Sequence, residues 1–157
     1  MASSVYIETT IVSYLTARPS GDLLLRAHQR ITQRWWRTRR SSFELFISPL
    51  VVQEAGDGDP RAVARRLTAL RGIPMLAAVP GALAVAHALR DRGPIPARAE
   101  ADAMHIAIAA AHGVEYLLTW NCTHIANAQM RPAIERLCRE AGFEPPILCT
   151  PEELLGD

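Results

Sequence analysis

The sequence contains no lysine; all 17 basic residues are arginines, set against 16 acids for a formal net charge of +1. That balance excludes a global excess of either sign, so any contact with a polyanion must come from a local patch. Arginine suits bidentate phosphate contacts, but its exclusive use reads first as a compositional habit of the chain. Cysteine is scarce. Cys122, Cys138 and Cys149 are odd in number, scattered and without paired metal-ligand spacing, which argues against a disulfide framework and fits a reduced cytosolic compartment. No segment is apolar over the roughly 18 residues that a membrane span needs, and the opening MASSVYIETT has no basic region leading into an apolar stretch. The expectation is a soluble, unprocessed, cytoplasmic protein. A GxSxG elbow, a glycine loop to cradle phosphate and a setting for a cysteine nucleophile are also missing, which disfavours hydrolytic enzymes built on those devices.

What is present is apolar material for one real core: 49% of 157 residues are hydrophobic, the size of a single domain spanning 1–157. The pattern alternates between short β-favouring runs and helical periodicity. Strands are expected at 5–8, 43–48, 75–79 and 116–120, with a short last one at 146–149. Helices are expected from Ile11, from an Asp22 cap to near Arg40, from Pro49, and over 61–71, 81–92, 97–112 and 124–141. Such alternation calls for an α/β fold of three layers, α/β/α, around a mostly parallel sheet, because parallel neighbours need crossover connections. Ligands of such sheets collect beyond the carboxyl ends of the strands, which directs attention to Glu8 and Asn121.

Glu8 ends an apolar run, and Glu54 follows the apolar stretch Leu50–Val52 one turn into its helix. Asp102 lies in EADAMHIAIAAAHG, a helix so rich in Ala and Ile that most of its circumference is expected to be buried. A carboxylate there must be protonated, paired or metal-bound, since an isolated buried charge costs several kcal/mol or more, of order. Three acids from three separate elements that converge at one sheet edge are what a hard divalent cation requires.

The stretches VYIETTIVSYL, PLVVQEAG and EADAMHIAIAAAHGVEYLLTWN, in that order and in a chain of this length, resemble the PIN-domain family, in particular its VapC-type toxins of bacterial toxin and antitoxin pairs. The resemblance implies a small endoribonuclease dependent on Mg²⁺ or Mn²⁺, commonly a homodimer, held inactive by an antitoxin protein that inserts a segment into the active-site groove. Carried over by position, it implies Glu8, Glu54 and Asp102 as catalytic metal ligands and Asn121 as the fourth site residue, hydrogen-bonding a water on the cation. Thr119 matches the small hydroxyl residue often found before that last position. Two departures stand out. Glu8 replaces the usual Asp and is one methylene longer; Asn121 replaces the usual acid, which weakens a second metal position more than the first and favours one-metal chemistry.

Around these acids, Thr9 and Thr10 can hydrogen-bond a phosphate or hold Glu8, although hydroxyls after a strand more often cap the next helix; His105 stands one turn beyond Asp102 and can orient it or contact RNA, and His124 can line the groove as a neutral polar contact. Arg26, Arg30, Arg34, Arg37, Arg39 and Arg40 surround Trp35 and Trp36, a basic strip with aromatics of a kind that meets phosphates and stacked bases, or a partner protein, although a solvated face with one tryptophan in the core is the plainer reading. A second reading of the whole chain keeps the fold and drops the activity: a catalytically weakened module that binds RNA or an antitoxin-like protein, favoured by Asn121.

Overall fold

Val5, Tyr6 and Ile7 are consecutive and all inaccessible to solvent, so both faces of their strand are covered, as expected for the middle of a parallel sheet between helical layers. The computed structural model describes residues 1–156 and bears this out. Strand β1 (Ser3–Ile7) is flanked by β2 (Phe43–Phe46) on one side and by β3 (Tyr116–Leu118) on the other, with β4 (Ile147–Cys149) beyond; every pairing is parallel and the order is β2-β1-β3-β4. Between them run α1 (Thr9–Thr16), α2 (Leu23–Thr38), α3 (Pro49–Ala55), α4 (Pro60–Leu70), α5 (Pro80–Asp91), α6 (Glu100–Ala111) and α7 (Arg131–Glu140).

The helices pack as two groups, α1 with α2, α3 and α4, and α5 with α6 and α7, giving the three-layer α/β/α arrangement. The buried apolar side chains form one continuous cluster, with Trp35, Tyr6, Ile7, Ile106 and Leu117 among the largest fully buried. Among the described residues, no helix is long and apolar enough to cross a membrane.

Start signals in the sequence work as expected in two places. The Asp22 carboxylate accepts the Leu25 backbone N–H at 2.8 Å to cap α2, and Pro49 opens α3 behind Ser48, whose hydroxyl accepts the Val51 N–H at 3.4 Å. Two expected elements differ. The strand at 75–79 is reduced to a single bridge between Ile47 and Met75, held by Ile47 N–H to the Pro74 carbonyl (3.0 Å) and Leu76 N–H to the Ile47 carbonyl (2.7 Å). Ala77 and Ala78 offer little β preference, and Pro80 then starts α5. The helix expected from His124 begins only at Arg131. Asn121 caps His124 at 3.0 Å and Asn127 accepts from Gln129 N–H at 2.9 Å, so two amide side chains hold 121–130 in turns in competition with the helix. Residues 97–99 of the expected 97–112 helix form a 3₁₀ turn before α6.

Candidate active site

Three strand ends meet at the carboxyl edge of the sheet. Glu8 follows β1, Thr119 follows β3, and Ser48 stands just beyond β2 at the start of the helix that carries Glu54. Glu8 is only 4% exposed. Its backbone N–H continues the sheet by donating to the Leu118 carbonyl at 3.1 Å, which pins the side chain over the sheet edge. One carboxylate oxygen, Oε1, accepts from the Thr10 hydroxyl at 2.5 Å and the Thr119 hydroxyl at 2.6 Å. Each hydroxyl in turn accepts a backbone N–H, Thr10 from Trp120 at 2.8 Å and Thr119 from Asn121 at 2.9 Å. Two one-directional relays, N–H to O–H to carboxylate, therefore lock Glu8 in place and polarise one another. No hydrogen bond among the described residues uses Oε2.

Glu54 is held by a second relay. Its Oε1 accepts from the Thr9 hydroxyl at 2.6 Å and lies 2.6 Å from Nε2 of His105. His105 is fully buried; its Nδ1 is 2.7 Å from the Tyr6 hydroxyl, which is 2.7 Å from the Ser48 hydroxyl. A single assignment of hydrogens satisfies the chain with neutral imidazole: Ser48 O–H donates to Tyr6, Tyr6 O–H to Nδ1, and Nε2–H to Glu54. Burial pushes the Tyr6 phenol far above its ordinary range, so it stays a donor. For Glu54, burial acts to raise the carboxyl pKa, but the contacts with His105 and Thr9 outweigh it and leave the pKa lowered.

Ligand atoms of Glu8, Glu54 and His105 all lie within 4.8 Å of one another. Of the three carboxylates expected to meet, Glu8 and Glu54 do so. The imidazole beside them serves as a positioning group rather than a ligand, because both its nitrogens are engaged and Nε2 directs its hydrogen at Glu54. Asp102 is not part of this cluster. It is three residues before His105 on α6, and side chains at that spacing stand about 5–6 Å apart at Cβ. Its Oδ2 pairs with Nδ1 of His124 at 2.8 Å, both side chains keeping limited exposure, so the requirement that a carboxylate on this apolar helix be paired is met by an imidazole. Asn121 spends its side-chain oxygen on the His124 N–H, so it shapes the turn that brings His124 to Asp102.

No arginine among the described residues lies within 4.0 Å of Glu8, Glu54 or Asp102, whose ion-pair partners are the two histidines alone. Glu8 and Glu54, with no guanidinium beside them, make a locally negative sheet edge that favours a cation. No protein-family model and no curated protein matches this chain. The donor set itself fits Mg²⁺ or Mn²⁺: oxygen atoms dominate, Glu8 Oε2 is unused by protein donors, and the low pKa of Glu54 keeps it anionic. Thiol chemistry does not fit, since burial pushes Cys138 up to about 11 and Cys149 to about 12, and also raises exposed-side Cys122.

Tyr6 and Ser48 are not among the residues expected at the site, and Thr9, one of the two hydroxyls after β1, holds Glu54. Tyr6 carried a signal: a phenol inside a strand whose neighbours are all apolar must find a hydrogen-bond partner. Ser48, read as the end of a strand, carried none that distinguishes a cap from a strand terminus.

Proposed function

We propose that the protein is an endoribonuclease of the PIN-domain, VapC-like type, dependent on Mg²⁺ or Mn²⁺ and hydrolysing RNA phosphodiester bonds. The observation that supports it best is the meeting of two carboxylates, Glu8 at 4% exposure and Glu54, within 4.8 Å at the carboxyl edge of a parallel sheet with no arginine to neutralise them. Glu8 and Glu54 would hold the cation from the two relays, and Asp102 would complete the site from the neighbouring helix. When bound, the cation supplies charge to neutralise the phosphate and favours hydroxide from water at neutral pH. Thr10 and Thr119 orient Glu8. Tyr6, through His105, orients Glu54, and His124 orients Asp102. Purified protein is expected to cleave RNA with Mg²⁺ or Mn²⁺, to stop in chelator, and to lose at least a hundredfold in rate in Glu54→Gln and Asp102→Asn, as loss of a metal ligand or its immediate partner does. Undiminished cleavage by Glu54→Gln would remove the acid site from the mechanism. An antitoxin-like inhibitor and a homodimer belong to the same proposal.

A second reading, a weakened module that binds RNA or an antitoxin-like partner, is favoured by Asn121, which brings no charge and has its oxygen engaged by His124. An inert native protein that gains nuclease activity in Asn121→Asp would select it.

A further inference from the structure

Helix α2 contains no acidic residue over Leu23–Thr38 but carries Arg26, Arg30, Arg34 and Arg37 at spacings of four, four and three, which places them in one exposed stripe. With 1.5 Å of rise per residue the stripe runs for about 16 Å. The stripe borders a groove of about 440 Å³ that Gln33 and Leu155 also line. Among the described residues no carboxylate lies within 4.0 Å of any of these four guanidiniums, even though Glu152 and Glu153 are on the 3₁₀ turn packed against α2. Arginines on or beside α5 and α7 are paired, Arg90 with Asp91 and Glu100, Arg92 and Arg136 with Glu140, Arg139 with Glu135 and Glu144, whereas Arg65 and Arg66 of α4 and Arg131 of α7 spend donors on backbone carbonyls. A chain of net charge +1 thus concentrates four uncompensated positive charges on one helix face.

The tryptophans of this helix do not share that face. Trp35 is fully buried, and Trp36 is half-buried beneath the Arg40 guanidinium at 4.2 Å. The stripe therefore offers charge and bidentate donors without rings on which bases could stack, a surface for phosphates and not for base identity. On its inner side α2 faces the candidate site, since Thr32 accepts the Trp120 indole N–H at 2.6 Å and His28 stacks on the same indole at 4.0 Å. The outer stripe is thus a surface separate from the carboxylate cluster.

We infer that the α2 arginine stripe is a sequence-independent binding track for the phosphate backbone of an RNA strand, distinct from the acidic site. The choice of RNA over DNA rests on the function proposed above; the phosphate chemistry does not. A protein partner fits less well, because protein interfaces centre on buried apolar contacts and the groove is lined mainly by guanidinium and amide groups. Its apolar contacts would be limited to Pro19, Ile31 and Leu155 in the groove and to exposed Leu23 and Leu24 before Arg26.

The test is fluorescence anisotropy of the full chain in chelator with two labelled 12-nucleotide RNAs of unrelated sequence, from 50 to 200 mM NaCl. Release of about 0.7 counterion per contacted phosphate on a single strand predicts that four contacts weaken binding about 50-fold over this range, equally for both sequences. R26Q/R30Q/R34Q/R37Q should lose at least tenfold in affinity at 50 mM and most of that salt dependence, with an unchanged circular dichroism melt. The four single Arg→Gln variants, each lowering the log–log slope by about 0.7, give the same answer should the quadruple variant fold poorly. Variants that bind RNA like the wild type overturn the inference. So does a polyglutamate peptide of equal charge that binds at least tenfold more tightly than the RNA at the same salt and loses that binding in the variants, which would assign the stripe to an acidic protein. Cleavage in Mg²⁺ is scored separately: salt-dependent binding without cleavage sinks the nuclease proposal and leaves the track, whereas cleavage and binding untouched by the variants do the reverse.

Discussion

Tyr6, His105 and Glu54 form a hydrogen-bonded line from the middle of the sheet to its edge, and each member depends on its neighbours for a partner. Tyr6→Phe keeps the ring and deletes the hydroxyl, stranding Nδ1 of a fully buried histidine and the buried Ser48 hydroxyl. The expected loss is about 1–3 kcal/mol in urea unfolding, the cost of a buried polar group left unsatisfied; a loss under about 0.5 kcal/mol would mean that the line is not intact. For Glu54 the sign of the pH effect follows from its shift. Burial raises its pKa, the His105 and Thr9 contacts lower it by more, and the folded value ends below the ordinary 4.5. A group depressed on folding stabilises above its unfolded pKa and loses that contribution as pH falls through the folded value. Wild type should therefore exceed Glu54→Gln in stability at neutral pH, with the gap closing below about pH 4.5. Parallel acid titrations of the two melts check this, and a gap that widens in acid would reverse the assignment.

At the scale of elements, α5 and α7 approach closely where the chain leaves α5. A Cβ on Gly93 would meet the Leu89 carbonyl oxygen at 2.6 Å and Leu137 Cδ1 at 2.7 Å, and the first of these is backbone that cannot swing aside. Gly93→Ala should cost about 1–3 kcal/mol of overpacking, seen in calorimetry as a fall in Tm of roughly 2–10 °C for a chain of this size. An unchanged Tm would mean that α7 is free to shift outward. The stripe on α2 and the capped turn at 121–130 are also element-scale features. One was visible in the sequence as a run of arginines at helical spacing. The other falls at the start of the helix expected over 124–141, and the asparagines that replace it with turns act through side-chain hydrogen bonds that periodicity does not register.

Across the whole molecule, the cation site gives a test that does not depend on knowing the RNA. A ligand bound to the folded state alone stabilises by about 2.7 kcal/mol at a hundredfold excess over its Kd, so saturating Mn²⁺ should raise the Tm by roughly 5–10 °C. The rise should vanish in a Glu8→Gln, Glu54→Gln double variant and survive in R26Q/R30Q/R34Q/R37Q; a wild-type Tm indifferent to Mn²⁺ and Mg²⁺ would count against a metal site. Much of this architecture was legible beforehand. Strand and helix alternation determined the layers and the parallel sheet, because a parallel pair needs a crossover, and acids following apolar runs singled out Glu8 at a strand end and Glu54 one turn into the helix after β2. Only the tertiary structure decided which side chains became partners. That His105 rather than Asp102 completes the closest cluster, that Asp102 answers to His124, and that Tyr6 and Ser48 lie behind Glu54 depend on contacts between residues 22 to 99 positions apart, and spacing along one element carries no record of them.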